Sequence, residues 1–490
     1  MSARQDAIVV PRTELPVNDL PIRELDRRAT SAFVWQGAKI AVHLLQYVIL
    51  ARLVAPAEFG KFALAAPLFL VLSAINEGGL STATIISKQY DAQLASSLWW
   101  TQFALGLVTA AVMVAGSPLL ASMFGVPDLL GVGIGLAASL VVESWGMRSR
   151  AGLRRDMRIA ALAVVDIGSL LVAVTSALIA SRWVHGVTLV LIVQMVNALS
   201  RTVIAVIFEP VRLRRFVMTD QYRSTLRTGW HLIGSDLLNL GRVQLPVLMI
   251  GFYLVLSDVG LFSRANQLLG VPLAMLGPAM TSFLLPLLSR TREQPAEFRA
   301  HLQRTQRLFL AISIPVSIWI AMGPMELIRF VLGPQWAPVV PVLQALSPLF
   351  IAQVVAAVAR NALLASEQSS TDRLFAAVNL AVAAVAVLIG ARFGLLPVAL
   401  ALSLSGLFIC TPLLVVLALR KSNLNLAIVL DGARTTLWLA AAATVLVWAC
   451  DALPLPGAGG EVAGLLAVGG ISMMALKRML GRQGAGIVKQ

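Results

Sequence analysis

Long apolar runs, separated by short polar breaks, make up most of this chain. Because an α-helix rises 1.5 Å per residue, about 20 apolar residues in a row cross the hydrocarbon core of a bilayer. Fourteen such runs occur, which predicts an all-α, polytopic membrane protein of about 14 transmembrane helices. The predicted helices lie near 29–54, 60–86, 96–124, 127–147, 159–181, 184–209, 228–256, 259–289, 306–332, 339–364, 372–391, 395–419, 434–450 and 461–477.

The connection between the first two helices occurs twice in the chain. Pro56 ends the first run, because proline disfavours continued helix, and the second helix is expected to begin at Phe59. The same pattern returns at an offset of 200 residues, where Gly60 matches Gly260. One helical hairpin is therefore repeated, which predicts two related halves.

The last two helices fall outside the repeat and are expected to be an appendage. The predicted organisation is a cytoplasmic tail (1–28), an N-terminal six-helix lobe (29–209), a cytoplasmic linker (210–227), a C-terminal six-helix lobe (228–420) and two further transmembrane helices with a cytoplasmic tail (421–490).

Composition and charge agree with a membrane protein. Only 13% of the residues are charged, against about 25% in soluble domains. The net charge of +15 could indicate a nucleic-acid partner, but thirty of the 39 lysines and arginines fall at one side of the predicted membrane and five at the other. That bias follows the positive-inside rule. It predicts cytoplasmic termini, no nucleic-acid partner and, since the first 28 residues lack an apolar core, no cleaved signal peptide.

Helix 1 carries a polar stripe. Gln36, Lys39, His43 and Gln46 follow one another at helical spacing and so share a face. Lys39 lies roughly 15 Å into the helix, which favours a role facing a cavity over snorkelling to the headgroups. Glu77 of helix 2 lies at a similar depth, so it either pairs with Lys39 or takes and releases a proton.

The second half carries polar positions of the same kind. Arg242 of helix 7 lies near mid-membrane with Asn239 one turn away and Asp236 beside the stripe. A charge at that depth favours a ligand site over a structural pair with Asp236 or Asp258. Helix 8 adds Arg264 and Gln267, one turn apart.

Two further charges lie in the first half. Asp166 of helix 5 is an intramembrane acid to which the sequence assigns no partner. Arg201 of helix 6 fits anchoring at the cytoplasmic boundary as well as ligand contact.

Several kinds of catalytic chemistry have no counterpart in the sequence. There is no Gly-x-x-x-x-Gly-Lys-Ser/Thr phosphate loop, so direct ATP hydrolysis is not expected. Four scattered histidines and two cysteines give no metal-ligand spacing, so neither a metal nor a cofactor is predicted. The external connections are short, whereas an enzyme for lipid-linked sugars would need a sizeable external loop with acidic or nucleophilic residues. These features favour transport and predict that the chain is not an enzyme.

The first hairpin resembles that of a known transporter family. Leu-Ala-Arg-Leu at 50–53, Pro56, Phe59-Gly60 and Gly79-Leu80 match the pattern of the polysaccharide transporter family, the Wzx-type flippases of lipid-linked oligosaccharides. Asn76-Glu77 stands where many members show an aspartate-glycine. The wider superfamily also contains multidrug and toxin extrusion transporters and lipid II flippases. The resemblance implies two six-helix lobes around a central cavity that opens alternately to each side.

The resemblance also implies a substrate and a location. The substrate would be an undecaprenyl-diphosphate-linked glycan, moved from the cytoplasmic to the periplasmic leaflet of the bacterial inner membrane for exopolysaccharide, capsule or O-antigen assembly. Expected partners are this glycan and membrane lipid, with a polysaccharide polymerase and export machinery as further candidates. A diphosphate needs cations to enter a low-dielectric cavity. The hypothesis gives diphosphate binding to Lys39, His43, Arg242 and Arg264, sugar contact to Gln36, Gln46, Asn239 and Gln267, and ion coupling to Glu77 and Asp236.

Three rivals remain open at this point. A multidrug exporter of the same superfamily would favour an acidic, aromatic cavity, whereas the stripes here are cationic and the chain has only four tyrosines. A membrane-embedded polymerase or ligase would need the external domain that the loop lengths deny. A lipid II flippase is a closer alternative, and the sequence does not decide against it.

Overall fold

The computed structural model describes residues 22–86, 91–211, 213–279, 284–291, 294–366, 369–421, 433–451 and 458–487. These residues form helices joined by short turns, which confirms the predicted all-α fold. Nine helical segments in this part of the chain are long and apolar enough to cross a bilayer, and the total of fourteen stays a prediction. The helices are α1 (Ile22–Leu53), α2 (Pro56–Ile86), α3 (Ala92–Phe124), α4 (Leu129–Arg155), α5 (Ile159–Ala180), α6 (Val187–Phe208), α7 (Asp220–Tyr253), α8 (Leu256–Ala279), α9 (Leu285–Arg290), α10 (Pro295–Met322), α11 (Met325–Leu332), α12 (Val339–Ala365), α13 (Ser369–Gly390), α14 (Leu395–Ser405), α15 (Thr411–Lys421), α16 (Ala433–Asp451) and α17 (Gly459–Ile487).

Helix α2 begins at Pro56, so the predicted start at Phe59 is wrong. Proline fits the first position of a helix, because an N–H there has no intrahelical acceptor and its fixed φ is already helical. The turn is therefore only two residues, Val54 and Ala55. The two helices diverge from this turn, since α1 packs on α5 whereas α2 packs on α4, α7 and α8.

A break divides the predicted helix 306–332 into α10 and α11. Gly323 has a φ of +78°, in the left-handed region that favours glycine, and Pro324 follows it. The helix α11 and the single 3-10 turn Pro334–Trp336 after it are called the arm (residues 325–336). The arm contacts α1 on one side and α17 on the other.

Helices α2, α7 and α8 make most of the contact between the halves of the molecule. In the first half α3 packs on α4, α4 on α6, and α5 on both α6 and α1. In the second half α12 packs on α8, α10, α14 and α15, while α16 and α17 pack on α10. Helix α7 lies against both α2 and α13, and α8 lies against both α2 and α12. The contacts of α1 with the arm and of α3 with α7 add to this interface.

The segment 213–219, which precedes α7, is docked on the start of α3. The Ser96 hydroxyl accepts a hydrogen bond from the Arg214 N–H at 2.7 Å and donates to the Arg214 carbonyl at 2.8 Å. Ser97 repeats this exchange with Val217, at 3.2 and 3.0 Å. Two serines thus satisfy backbone groups that an extended segment would otherwise leave to solvent. Helix α7 begins inside the predicted linker, whose last residues are helical.

The two repeated hairpins meet at a point that we call the junction. A Cβ atom placed on Gly60 would lie 2.0 Å from the Leu256 carbonyl oxygen, and one on Gly260 would lie 2.0 Å from the Pro56 carbonyl oxygen. The offset of 200 residues converts each contact into the other, so the junction is reciprocal, as in a two-fold interface. The lack of a side chain at both glycines permits this close approach of α2 and α8.

Candidate functional site

Asp166 of α5 lies between two cations inside the first half. Its Oδ2 atom is 2.6 Å from the Nζ atom of Lys39 in α1, and its Oδ1 atom is 3.1 Å from an Nη atom of Arg201 in α6. The three side chains are between 20 and 32% exposed. Asp166, the acid without an assignable partner in the sequence, therefore ties three helices together.

Glu77 pairs with a residue that the sequence did not suggest. Its Oε1 atom is 3.2 Å from an Nη atom of Arg154 in α4, and the hypothesised Lys39 partnership is taken instead by Asp166. Arg150, one turn before Arg154, is 2% exposed and donates to the Glu143 carbonyl at 3.4 Å. The Nε and Nη1 atoms of Arg150 have no hydrogen-bond partner among the described residues. Arg201 interacts electrostatically with Glu77 as well as Asp166, which joins these groups into one network.

The network contains more basic than acidic side chains. The described members are Lys39, Arg150, Arg154 and Arg201 against Glu77, Glu143 and Asp166. Electrostatic interactions between charges inside a bilayer are strong because the surrounding dielectric constant is low. This region can therefore attract an anion or exchange ion-pair partners.

Arg264 lies at the junction in a shell of aromatic rings. The residue is 0% exposed, and its guanidinium carbon is 4.1 Å from the ring centre of Phe59, 5.1 Å from Trp336 and 5.7 Å from Tyr47. Its Nη1 atom donates to the Gln267 side-chain oxygen at 3.2 Å. The Nε and Nη2 atoms have no partner in the described part of the chain. Arg264 is thus a buried cation stabilised by ring faces and one amide.

Hydrogen bonds from the arm to α1 close the junction. The Trp336 indole N–H donates to the Ala51 carbonyl at 2.7 Å, and the Gln335 amide donates to the same oxygen at 2.9 Å. In the reverse direction, the Arg52 guanidinium donates to the carbonyls of Phe330 and Val331. Trp336 is fully buried, so its hydrogen bond is made in an apolar setting where leaving it unmade is costly.

The other predicted site residues fall into two groups. Gln36, His43 and Gln46 lie on α1 and are partly buried, and the His43 ring centre is 6.1 Å from that of Tyr47. His43 interacts electrostatically with Lys39 and Asp166. The backbone of Asp236, Asn239 and Arg242 lies in α7, but their side chains are outside the described residues.

Sequence reasoning missed the aromatic shell and most of the ion pairs. The rings of Tyr47, Phe59 and Trp336 read as ordinary apolar positions of a membrane helix or an external turn. Helical spacing within one segment relates neighbours on that segment alone, whereas Lys39 and Asp166 are 127 residues apart. Among the described residues, no group of three or more His, Cys, Asp or Glu side chains could hold a metal ion.

Membrane-spanning helices, a repeated hairpin with a reciprocal contact, and a buried arginine between the halves define a multi-pass membrane protein of the transporter class. The chain belongs to the polysaccharide biosynthesis protein family, whose family model matches residues 49–341. This confirms the resemblance to the Wzx-type polysaccharide transporters. The matched region includes both hairpins, Arg264 and the arm.

Two curated relatives are similar over part of their length. The lipopolysaccharide biosynthesis protein WzxC of Escherichia coli (strain K12) is 21% identical over 310 residues, 63% of this chain and 63% of WzxC. The succinoglycan biosynthesis transport protein ExoT of Rhizobium meliloti (strain 1021) is 27% identical over 311 residues, 60% of each chain. The chain thus spans less than two thirds of each of these relatives.

Two solved structures share the fold. The lipid II flippase MurJ in an inward closed conformation has a TM-score of 0.72 at 12% identity, covering 93% of this chain and 99% of that one. An inward-facing multidrug resistance MATE family transporter of the MOP superfamily has a TM-score of 0.63 at 12% identity, covering 79% of this chain and 94% of that one. At this identity the likeness shows the architecture and not the substrate.

Proposed function

We propose that this chain is a flippase that moves undecaprenyl-diphosphate-linked oligosaccharide repeat units from the cytoplasmic to the periplasmic leaflet of a bacterial inner membrane. It works by alternating access, for exopolysaccharide, capsule or O-antigen biosynthesis, with both termini in the cytoplasm. The family match supports this, as do relatives named for lipopolysaccharide and succinoglycan biosynthesis. The fold supports rocking of two repeated halves.

The observation that carries the proposal is the state of Arg264. A fully buried guanidinium with two nitrogen atoms unpaired among the described residues costs free energy in a low-dielectric interior, and a bound anion would offset that cost. It lies between the halves, where a transported headgroup would have to pass. A diphosphate would satisfy its unpaired donors with charge-assisted hydrogen bonds, and arginine suits phosphate oxygens because its donors form a planar fork.

Lys39 would contribute by exchanging partners. Its present partner Asp166 also holds Arg201, so Asp166 retains one cation when a diphosphate engages Lys39. His43 lies beside this pair and adds a positive charge when protonated. Arg242 of α7 is the fourth residue that we propose to bind the diphosphate.

The remaining assignments extend the same idea. Gln36, Gln46, Asn239 and Gln267 would face the sugars, because amides can both donate to and accept from hydroxyl groups. Ion coupling is assigned to Glu77 or Asp236. A multidrug exporter, which carries organic cations, is disfavoured by the excess of basic side chains.

Complementation tests the proposal. Arg264→Gln, expressed in a host that depends on this chain for surface polysaccharide, is expected to abolish display and to leave lipid-linked repeat units in the cytoplasmic leaflet. Arg264→Lys should retain part of the activity because the charge remains. Arg392→Gln, the same change at an exposed turn residue, is the matched control and should display polymer normally.

Arg242→Ala is the parallel test for α7 and should likewise abolish display while the protein stays inserted. Normal display with both Arg264→Gln and Arg242→Ala would refute a cationic diphosphate site. Rescue of a host that lacks its lipid II flippase, without any effect on surface polysaccharide, would reassign the substrate to lipid II.

A further inference from the structure

The last helix reaches the arm through one side chain. The two carboxylate oxygens of Glu461, in the first turn of α17, accept hydrogen bonds from the backbone N–H groups of Glu326 at 3.0 Å and Leu327 at 2.6 Å. These are the first-turn donors of α11, which would otherwise lack acceptors. The residue before α11 is Pro324, which makes no side-chain cap. Glu461 therefore acts as the N-cap of α11 from 134 residues away in the sequence.

The carboxylate and the backbone of Glu461 contact different helices. The Glu461 carbonyl accepts a hydrogen bond from the Trp319 indole at 3.0 Å, which fastens α17 to α10, and α16 and α17 also pack on α10 directly. The attachment of α16 and α17 to α10 therefore does not need the Glu461 side chain. Both side-chain oxygens are directed at α11, where a negative charge also stabilises the positive end of the helix dipole.

The arm is held at both ends by other parts of the molecule. Helix α11 has eight residues, which is too short to be stable alone. Its start is held by Glu461, while Phe330 and Val331 at its end accept from Arg52 of α1. Trp336 follows within the arm, bonds to Ala51 and covers Arg264. A displacement of α11 would therefore reach the junction through a short chain of direct contacts.

We propose that Glu461 is a positioning residue for the junction: by capping α11 it sets the arm so that Trp336 closes over Arg264 and bonds to α1. The proposal rests on the proposed function, in which the junction is the barrier that opens during transport. It gives α16 and α17, which lie beyond the residues matched by the family model, a part in the transport cycle. An appendage, as the repeat suggested, would not reach the junction.

Hydrogen–deuterium exchange of the full chain in lipid nanodiscs tests this. Glu461→Ala is expected to speed amide exchange in residues 325–332 by about five- to tenfold, the factor that follows from losing a helix N-cap. Exchange at 47–54 of α1 should rise as well, because Trp336 and the Arg52 acceptors move with the arm. Glu461→Gln keeps one acceptor oxygen and the side-chain shape, so a smaller rise at the same two places is expected, and this variant serves if the alanine variant does not fold.

The matched control is Glu326→Gln, on the same helix. The Glu326 side chain forms an exposed pair with Arg329 at 3.1 Å and takes no part in the cap, so exchange at 47–54 should match the parent chain. A rise confined to 325–332 in the Glu461 variants, with 47–54 unchanged, would overturn the proposal. The readout needs no substrate, so faster exchange at the junction together with normal polymer display by Arg264→Gln would leave the positioning role intact and remove the proposed function.

Discussion

Phe59→Leu isolates the contribution of ring faces to closing the junction. Phe59 lies on α2 and its ring is the closest of the three around Arg264, at 4.1 Å from the guanidinium carbon. Leucine keeps an apolar side chain at this position but removes the ring. A cation–π contact that is shielded from water contributes about 2 kcal/mol, and an exposed one about 0.5–1 kcal/mol. Since two other rings remain, we expect the closed junction to lose ~1–2 kcal/mol of stability relative to the open form. This loss raises the open fraction about fivefold to thirtyfold.

Amide exchange at residues 256–262 measures that fraction. Where closing is faster than exchange, the rate scales with the population of the open form. The control is Phe62→Leu, the same substitution one turn along α2, whose ring centre is 6.0 Å from that of Phe59. Equal exchange rates at 256–262 in the two variants would show that lost packing, and not the cation–π contact, accounts for any change.

Two further outcomes follow from the same geometry. Gly60→Ala should open the junction and stop transport, because its Cβ would lie 2.0 Å from the Leu256 carbonyl oxygen, whereas Gly37→Ala has free space and should be neutral in exchange and display assays. The second outcome concerns a double-mutant cycle with Lys39→Met and Asp166→Asn, measured by thermal unfolding in detergent. The coupling energy should be about 1–2 kcal/mol, because the two side chains form an ion pair. Additive effects of the two substitutions would contradict a functional ion pair.

The helix pattern predicted the all-α fold well because the length of an apolar run is a local property of the sequence. Apolar run length is set by bilayer thickness, so most helix bounds fall within a few residues of those observed. The larger errors occur where a helix continues beyond its apolar run: α4 ends at Arg155 and not at 147, and α10 begins at Pro295 and not at 306. Two other errors occur where backbone chemistry competes with hydropathy. Pro56 starts a helix that apolarity alone would begin later, and Gly323 interrupts an apolar run that hydropathy reads as continuous.

The sequence shows which charged residues are unusual, but it does not show their contacts. Lys39, Asp166 and Arg264 are unusual because placing a charge inside the membrane costs free energy. A charge at that depth therefore requires a stabilising contact. The partner of each depends on how helices far apart in sequence pack, which helical spacing does not report. For Arg264 the compensation comes from aromatic rings, whose apolar character conceals the role.

The difference between the two compensations explains why Arg264 is the better candidate for the moving headgroup. A carboxylate such as Asp166 neutralises its cation, so an incoming anion must compete with an ion pair that is strong at low dielectric. Ring faces lower the cost of burying a guanidinium without neutralising its charge, and two of its nitrogen atoms have no partner among the described residues. In the proposed function, a diphosphate would gain the full charge of Arg264 and would only have to separate it from rings on the opposing half. Because Phe59 and Tyr47 belong to the first half and Arg264 to the second, binding of the proposed anion and opening of the junction would then be a single event.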